Sequence, residues 1–141
     1  MSFMIFPKET FLYTDKTYNK GDVLMSLGRT PCPSSDSSRI QVDDRTFILP
    51  PKLLAHSCEP NAYIDWQTME LKALRPIDKG TLVTYHYGTS EDDYRIGKFQ
   101  CECGSRLCIG EFQGFMFLSD NEKNRIKESV SPFIRKKYVD A

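Results

Sequence analysis

The sequence predicts a mainly β fold built from short strands. Runs rich in β-branched and aromatic residues recur through the first 90 residues, and clusters of turn-forming residues separate them. No long helical segments alternate with these runs, so a doubly wound α/β fold is disfavoured. With 141 residues, the chain is long enough for one hydrophobic core and too short for two.

Six runs are predicted to be strands, and their composition also places the turns. In chain order the strands are 11–14, 22–27, 46–49, 62–66, 69–75 and 81–87. The separating turns are 19–22, 43–44 and 76–80. Gln67 and Thr68 are expected to close a tight hairpin between the fourth and fifth strands. The polar segment 31–38, with two prolines and four serines, is predicted to be a surface loop.

Helices are predicted only after the last predicted strand. Residues 90–93 combine a serine with acidic residues, which is typical of the first turn of a short helix. Ser119 followed by Glu122 forms a capping-box pattern and predicts a helix N-terminus. Ser131 and Pro132 suit the N-cap and first position of a second helix. The basic residues of this tail are interpreted as a solvated helix face.

Composition excludes some classes of function and suggests a location. Nineteen basic residues balance nineteen acidic ones, which gives no electrostatic case for nucleic acid binding. No apolar run has the length needed to span a bilayer, so no membrane partner is expected. The N-terminus lacks the basic start and apolar stretch of a signal peptide. The chain is therefore expected to be intracellular, either cytoplasmic or nuclear.

Cysteines form the clearest metal-binding pattern in the sequence. Cys101, Cys103 and Cys108 make a C-x-C-x4-C array, which supplies three thiolates of a four-ligand zinc site. Cys58 is the best candidate for the fourth ligand. In a reducing compartment, clustered cysteines more often bind metal than form disulfides, although a disulfide or free thiols stay open as alternatives. Cys32, between two prolines, is interpreted as a loop thiol.

Three motifs occur in a specific order along the chain. They are HSCEPN at 56–61, TYHYG at 84–88 and the cysteine array within 101–110. In this order they resemble the SET-domain family of protein lysine methyltransferases, with its N-H-S-C-x-P-N motif, tyrosine-ended strand and cysteine-rich post-SET segment. LRPIDKG at 74–80 and TYNKGDVLMSL at 17–27 are also similar to family segments. The resemblance covers about residues 8 to 112.

This resemblance implies an architecture. The expected fold is the SET-domain (β-clip) fold, in which short strands form small sheets and one segment passes under another in a pseudoknot. A zinc-bound post-SET segment and short C-terminal helices complete it. The implied division is 1–97 for the SET domain, 98–112 for the post-SET segment, and 113–141 for a helical tail that packs on the same domain.

The resemblance also implies an activity. It is S-adenosylmethionine-dependent N-methylation of a protein or peptide lysine, with histones among the candidate substrates. Such a reaction requires alignment of donor and amine, exclusion of water and a neutral lysine, for which apolar aromatic walls are suited. Tyr87 takes the position of the family's catalytic tyrosine. Tyr85 takes a position where Tyr favours fewer methyl groups, and core packing is the alternative role for both.

The implied donor site draws on several parts of the chain. Its residues are Glu9, Thr10, Phe11, Ala55, His56, Tyr87 and Phe112. Phe112 could equally be a core contact. His56 could instead be a zinc ligand, but the family uses the cysteine of this motif, so Cys58 is preferred and the zinc is structural. Asn61 is expected to satisfy buried backbone groups.

Three positions depart from the family pattern. Ala55 stands where the family has an asparagine that helps to hold the donor, and residues 7–11 lack the family's G-x-G. His86 replaces an aspartate. By strand alternation its side chain is expected to point away from Tyr85 and Tyr87, so this departure is expected to matter least. Two hypotheses follow, an active methyltransferase and a SET-fold binding or scaffold module that has lost donor binding and catalysis.

Overall fold

A computed structural model describes residues 10–32, 39–43, 45–93 and 98–140. Ten short strands and two short helices lie in these ranges. The strands are β1 (Val23–Ser26), β2 (Pro31–Cys32), β3 (Ile40–Gln41), β4 (Phe47–Ile48), β5 (Ala55–His56), β6 (Ala62–Asp65), β7 (Glu70–Ala73), β8 (Thr84–Tyr85), β9 (Phe99–Gln100) and β10 (Glu111–Phe112). The helices are α1 (Asp120–Ile126) and α2 (Pro132–Ile134). The predicted mainly β class is confirmed.

Four small sheets organise these strands. Two are three-stranded and antiparallel, in the orders β1-β7-β6 and β2-β4-β3. The other two are the antiparallel pair β9-β10 and the parallel pair β5-β8. The predicted hairpin joins β6 to β7, where the carboxylate of Asp65 accepts the N–H groups of Gln67 and Thr68 at 3.1 and 3.3 Å. This Asx-type turn fixes the register of the pair.

Four predicted elements differ from the structure. The predicted loop at 31–38 begins with strand β2, which includes Cys32, and its residues 33–38 lie outside the described ranges. The run at 11–14 makes isolated bridges, with Phe11 opposite Leu53 and Tyr13 opposite Leu82. The run at 81–87 is a strand only at β8 and ends in a 3-10 turn over Tyr87–Thr89. Residues 90–93 form no helix, because the carbonyl groups of residues 91 and 92 accept the N–H groups of residues 115 and 116 instead of a following helical turn.

The tail helices follow the predicted capping signals. The Ser119 hydroxyl accepts the Glu122 N–H at 3.2 Å at the start of α1, and the Ser131 hydroxyl accepts the Ile134 N–H at 3.2 Å at the start of α2. Buried side chains of the tail form a small cluster of their own: Phe115, Ile126, Val130 and Ile134. The Trp66 indole N–H donates to the carbonyl of Ser129 at 3.0 Å, which joins the tail to the β6-β7 hairpin.

The main core lies among the small sheets and extends to the tyrosines. Its buried members include Ile64 and Leu71 from the strands, Leu27 and Val83 directly beside strands, and Tyr85, Tyr87 and Phe112. The candidate site residues are therefore built into the core itself. Within the described ranges, every helix is too short or too polar to cross a bilayer.

Candidate active site and metal centre

The parallel pairing of β5 with β8 brings the first two motifs together. Ala55 lies opposite Thr84 and His56 opposite Tyr85, and the pairing continues through the Ser57 N–H to the Tyr85 carbonyl at 3.2 Å. Asn61 fixes the far end of the same segment. Its side-chain oxygen accepts the Thr84 N–H at 2.8 Å and its amide donates to a neighbouring carbonyl at 3.0 Å, so it satisfies backbone groups as expected.

Tyr87 is held to the 54–56 segment at both ends. Its hydroxyl donates to the carbonyl of Leu54 at 2.5 Å, and its backbone N–H donates to Nδ1 of His56 at 3.0 Å. The side chain is buried, with 3% of the residue exposed. Because Nδ1 of His56 is an acceptor, its proton resides on Nε2. Burial, aided by neighbouring His86, lowers the pKa of His56 to about 3, so the ring is neutral.

Aromatic rings surround Tyr87 on several sides. Ring centroids lie 5.1 Å away for Tyr85, 5.2 Å for His56, 6.1 Å for Phe99 and 6.0 Å for Phe112. Phe112 is fully buried against this group. An apolar aromatic enclosure of this kind disfavours water and presents ring faces to a cation. Phe112 is thus a core contact that packs against the ring of Tyr87.

The N-terminal candidates approach the same segment from outside it. Thr10 accepts the Leu53 N–H at 2.9 Å through its carbonyl, and Phe11 forms a parallel bridge with Leu53. Their backbone partner Leu53 precedes Ala55 by two residues. Glu9 lies outside the described residues.

The four predicted zinc ligands converge. The sulfur atoms of Cys58, Cys101, Cys103 and Cys108 all lie within 4.8 Å of one another, and those of Cys58 and Cys101 are 3.8 Å apart. Tetrahedral zinc with Zn–S bonds of about 2.3 Å requires sulfurs about 3.8 Å apart, so four thiolates fit the ion. All four thiols are unbridged, which does not support a disulfide. Four protein ligands leave no open position, so this donor set suits structural zinc.

Backbone amides and titration behaviour also suit a metal centre. The Ile109 N–H donates to the sulfur of Cys58 at 3.4 Å. Burial raises the pKa of Cys58 to about 12. Burial has the same tendency at Cys103, but hydrogen bonds from backbone groups outweigh it and lower its pKa to about 7. Cys103 therefore ionises more easily than Cys58, and a cation would be needed to hold all four as thiolates.

His56 contacts the centre without belonging to its ligand set. Its Nε2 lies 3.5 Å from the sulfur of Cys58, while Nδ1 is occupied by the Tyr87 N–H. The ring therefore orients the sulfur on one side and Tyr87 on the other, in the manner of an outer-shell partner of a metal site. This geometry favours Cys58 over His56 as the fourth ligand.

Comparison with known proteins places this geometry in a family. The sequence matches the SET domain over residues 3–88, which is more than half of the chain. The chain belongs to the SET-domain family. The resemblance and the SET fold predicted from the sequence are thereby confirmed. Ala55, His56, Tyr85 and Tyr87 all fall within the matched SET region.

One curated relative carries a functional name. Methyltransferase flvH of Aspergillus flavus is 36% identical over 61 residues. The match covers 42% of this chain and 34% of that protein, so the chain spans about a third of its length. The cysteine array and the tail helices lie C-terminal to the SET-matched residues.

A buried polar network attaches α1 to the SET region. We call it the α1 clamp, formed by His86, Glu122 and Arg125. Nδ1 of His86 accepts the Gly88 N–H at 2.9 Å, so Nε2 carries the proton that it donates to Glu122 at 2.8 Å. Arg125 donates to both oxygens of Glu122, at 2.9 and 2.5 Å, and also to the carbonyl of Cys58.

The electrostatics of the α1 clamp agree with its geometry. Burial lowers the pKa of His86, which keeps its ring neutral. Burial alone would raise the pKa of Glu122, but hydrogen bonds from His86 and Arg125 outweigh it and lower the pKa to about 2. Gly88 fits closely here, because a Cβ atom would lie 3.0 Å from the rings of His86 and from Ile126. The clamp therefore holds the turn at Tyr87 from behind.

Sequence reasoning missed several of these residues. It gave little weight to His86, whose partner Glu122 is 36 residues away and has no local signal. It used Glu122 only as a capping residue. Phe99 was also missed, although an aromatic residue directly before the cysteine array was a usable signal.

Proposed function

We propose that this protein is an S-adenosylmethionine-dependent protein-lysine N-methyltransferase, with histones among its candidate substrates. The observation that carries the proposal is the position of Tyr85 and Tyr87 beside Ala55 and His56, inside an aromatic enclosure in the SET region. Membership of the SET family and the name of the fungal relative support the reaction class. The polypeptide segment 10–11 and Phe112 would contribute the remaining walls of the donor site.

Each residue then has a physical task. S-adenosylmethionine supplies an electrophilic methyl group next to a sulfonium charge. The rings of Tyr87, Tyr85 and Phe112 exclude water from the reacting amine, and their faces tolerate the cation. The fixed hydroxyl of Tyr87 and the adjoining carbonyl of Leu54 present polar atoms at one place in an otherwise apolar wall. The substrate amine must enter neutral, and this enclosure disfavours its ammonium form by desolvation.

Zinc completes the proposal as a structural ion. Cys58, Cys101, Cys103 and Cys108 would hold it and keep the segment 99–112 against His56 and Tyr87. We also propose an intracellular location, since a thiolate site of this kind suits a reducing compartment.

A SET-fold binding or scaffold module is the second candidate. Ala55 favours this second candidate, because a methyl side chain in β5 offers no hydrogen bond to S-adenosylmethionine. In that case the tyrosine pocket would be a core feature alone, and neither donor binding nor turnover would be found.

A substitution at Tyr87 tests the enzyme proposal. Tyr87→Phe removes the hydroxyl and keeps the ring, so we expect transfer of labelled methyl groups to lysine in histones or a protein extract to fall at least about 100-fold. Methyl-lysine is measured by amino-acid analysis after hydrolysis. Tyr18→Phe is the matched control, because its hydroxyl binds Asp15 at 2.6 Å in the loop before β1. Equal turnover by both variants would remove Tyr87 from its role.

A further inference from the structure

A buried chain of hydrogen bonds leads from the hydroxyl of Tyr85 to a carboxylate. The hydroxyl of Tyr85 lies 3.0 Å from that of Ser90, whose oxygen lies 2.5 Å from Oε2 of Glu91. The Gln41 N–H donates to the same oxygen at 3.1 Å. All three residues are buried, because the exposed fraction is 0% for Ser90, 1% for Gln41 and 9% for Glu91. We call the three side chains Tyr85, Ser90 and Glu91 the buried relay.

The buried relay has a direction. A backbone N–H can only donate, so Oε2 of Glu91 is an acceptor toward Gln41. Ser90 has a single hydroxyl proton and directs it to Glu91 at 2.5 Å rather than to the Tyr87 carbonyl at 3.3 Å. Tyr85 must then be the donor in its contact with Ser90. With its proton committed, the phenol oxygen can serve other polar groups only as an acceptor.

This direction matters for a lysine amine. An acceptor in the pocket takes an N–H of the amine and turns the nitrogen lone pair toward the donor methyl group. A neutral amine with two methyl groups has no N–H left to give. A phenol that donated into the pocket would instead bind the lone pair itself and oppose its attack on the methyl carbon.

We propose that Ser90 and Glu91 are positioning residues that fix Tyr85 as a hydrogen-bond acceptor for the substrate amine, and so limit methylation to amines that still carry an N–H. This inference rests on the proposed function. Tyr85 touches the substrate, whereas Ser90 and Glu91 act through it. The carboxylate at the end of the buried relay sets the orientation of every hydroxyl in it.

Glu91→Leu tests the direction of the buried relay. Leucine has no oxygen, so Ser90 loses the acceptor that holds its proton and can donate to Tyr85, which frees the phenol proton for the pocket. We expect kcat to fall about tenfold, the equivalent of about one hydrogen bond, with KM for the protein substrate nearly unchanged. Glu128→Leu, on a side chain that is 83% exposed, is the matched control. Ser90→Ala should relax the limit on methyl number, seen by mass spectrometry of the product.

A double-mutant cycle separates positioning from mere folding. If Glu91 acts through Tyr85, then adding Glu91→Leu to Tyr85→Phe changes neither kcat nor the number of methyl groups further. An equal loss in both backgrounds would overturn the proposal. So would Ser90→Ala and Glu91→Leu proteins that bind S-adenosylmethionine and keep wild-type kcat and products. A wild-type protein that transfers no methyl group fails one step earlier and overturns the proposed function together with the relay.

Discussion

The cysteine loop at 101–108 and helix α1 both hold the HSCEPN segment, but by different chemistry. The loop reaches Cys58 through sulfur atoms that are partly exposed and that repel one another when ionised. Helix α1 reaches the carbonyl of Cys58 through Arg125 and reaches His86 through Glu122, in a network whose charges are already paired. The first attachment needs a cation, whereas the second is complete within the protein.

This difference predicts two separable contributions to one site. Phe99 and Phe112, on either side of the loop, pack against the ring of Tyr87, and the α1 clamp holds the turn at Tyr87 through the Gly88 N–H. Loss of metal should therefore damage the aromatic wall more than the turn. Loss of the clamp should affect the turn while the metal centre persists.

The largest effect is expected from loss of the metal centre. Cys58→Ser should abolish stoichiometric zinc, because a hydroxyl is a poor zinc ligand and the sulfur is completely buried. The binding free energy of structural zinc is also folding free energy, so the loss of stability should reach several kcal/mol. Metal analysis and thermal unfolding measure both. The control is Cys32→Ser, at the cysteine outside the proposed ligand set, and it should retain one zinc per chain. Full zinc occupancy at unchanged stability in Cys58→Ser would refute Cys58 as a ligand.

A smaller effect is expected from the α1 clamp. Glu122→Gln keeps the size of a side chain that is 10% exposed but removes its charge, which leaves Arg125 without its anion. We expect a loss of about 1–3 kcal/mol in the free energy of unfolding, measured with denaturant. Zinc content should stay at one per chain. Loss of zinc in this variant would show that the two attachments are not separable.

The pH dependence of this loss provides a further check on the clamp. The pKa of Glu122 falls from its ordinary value of 4.5 to about 2 in the folded protein. A carboxyl group whose pKa is lower in the folded protein stabilises the fold fully at pH values above its pKa in the unfolded chain. This contribution disappears as the pH falls through its pKa in the folded protein. The stability difference between wild type and Glu122→Gln should therefore be full above pH 4.5 and vanish toward pH 2. A difference that does not change across this window would contradict the assigned role.

Local chemistry made much of the fold predictable from the sequence. The hairpin at Gln67 and Thr68 and the caps at Ser119 and Ser131 depend on neighbouring residues, and the structure shows each of them. The cysteine set was also predictable, because thiols at metal-ligand spacing have few other uses. Strands of two residues, such as β5 and β9, are too short to produce a periodic signal.

Contacts between distant segments were not predictable in the same way. His86 pairs with Glu122, and Gln41 pairs with Glu91 across 50 residues, and neither pair has a signature in the local sequence. The expected helix at 90–93 failed for this reason as well. Its acidic residues resemble a first helical turn, but Glu91 and Asp92 are buried and bound to other parts of the chain.

Binding of S-adenosylmethionine tests the central claim most directly. The enzyme proposal requires this binding, whereas Ala55, which offers no side-chain hydrogen bond to S-adenosylmethionine, favours the scaffold module. S-adenosylmethionine is titrated by calorimetry into wild-type protein that holds one zinc per chain, with Tyr87→Phe in parallel. We expect saturable binding at one site per chain for both proteins, and stabilisation against heat of about 3 kcal/mol at a donor concentration one hundred times the Kd. Zinc-loaded wild type that gives neither heat nor thermal stabilisation would contradict the methyltransferase account and leave the scaffold module.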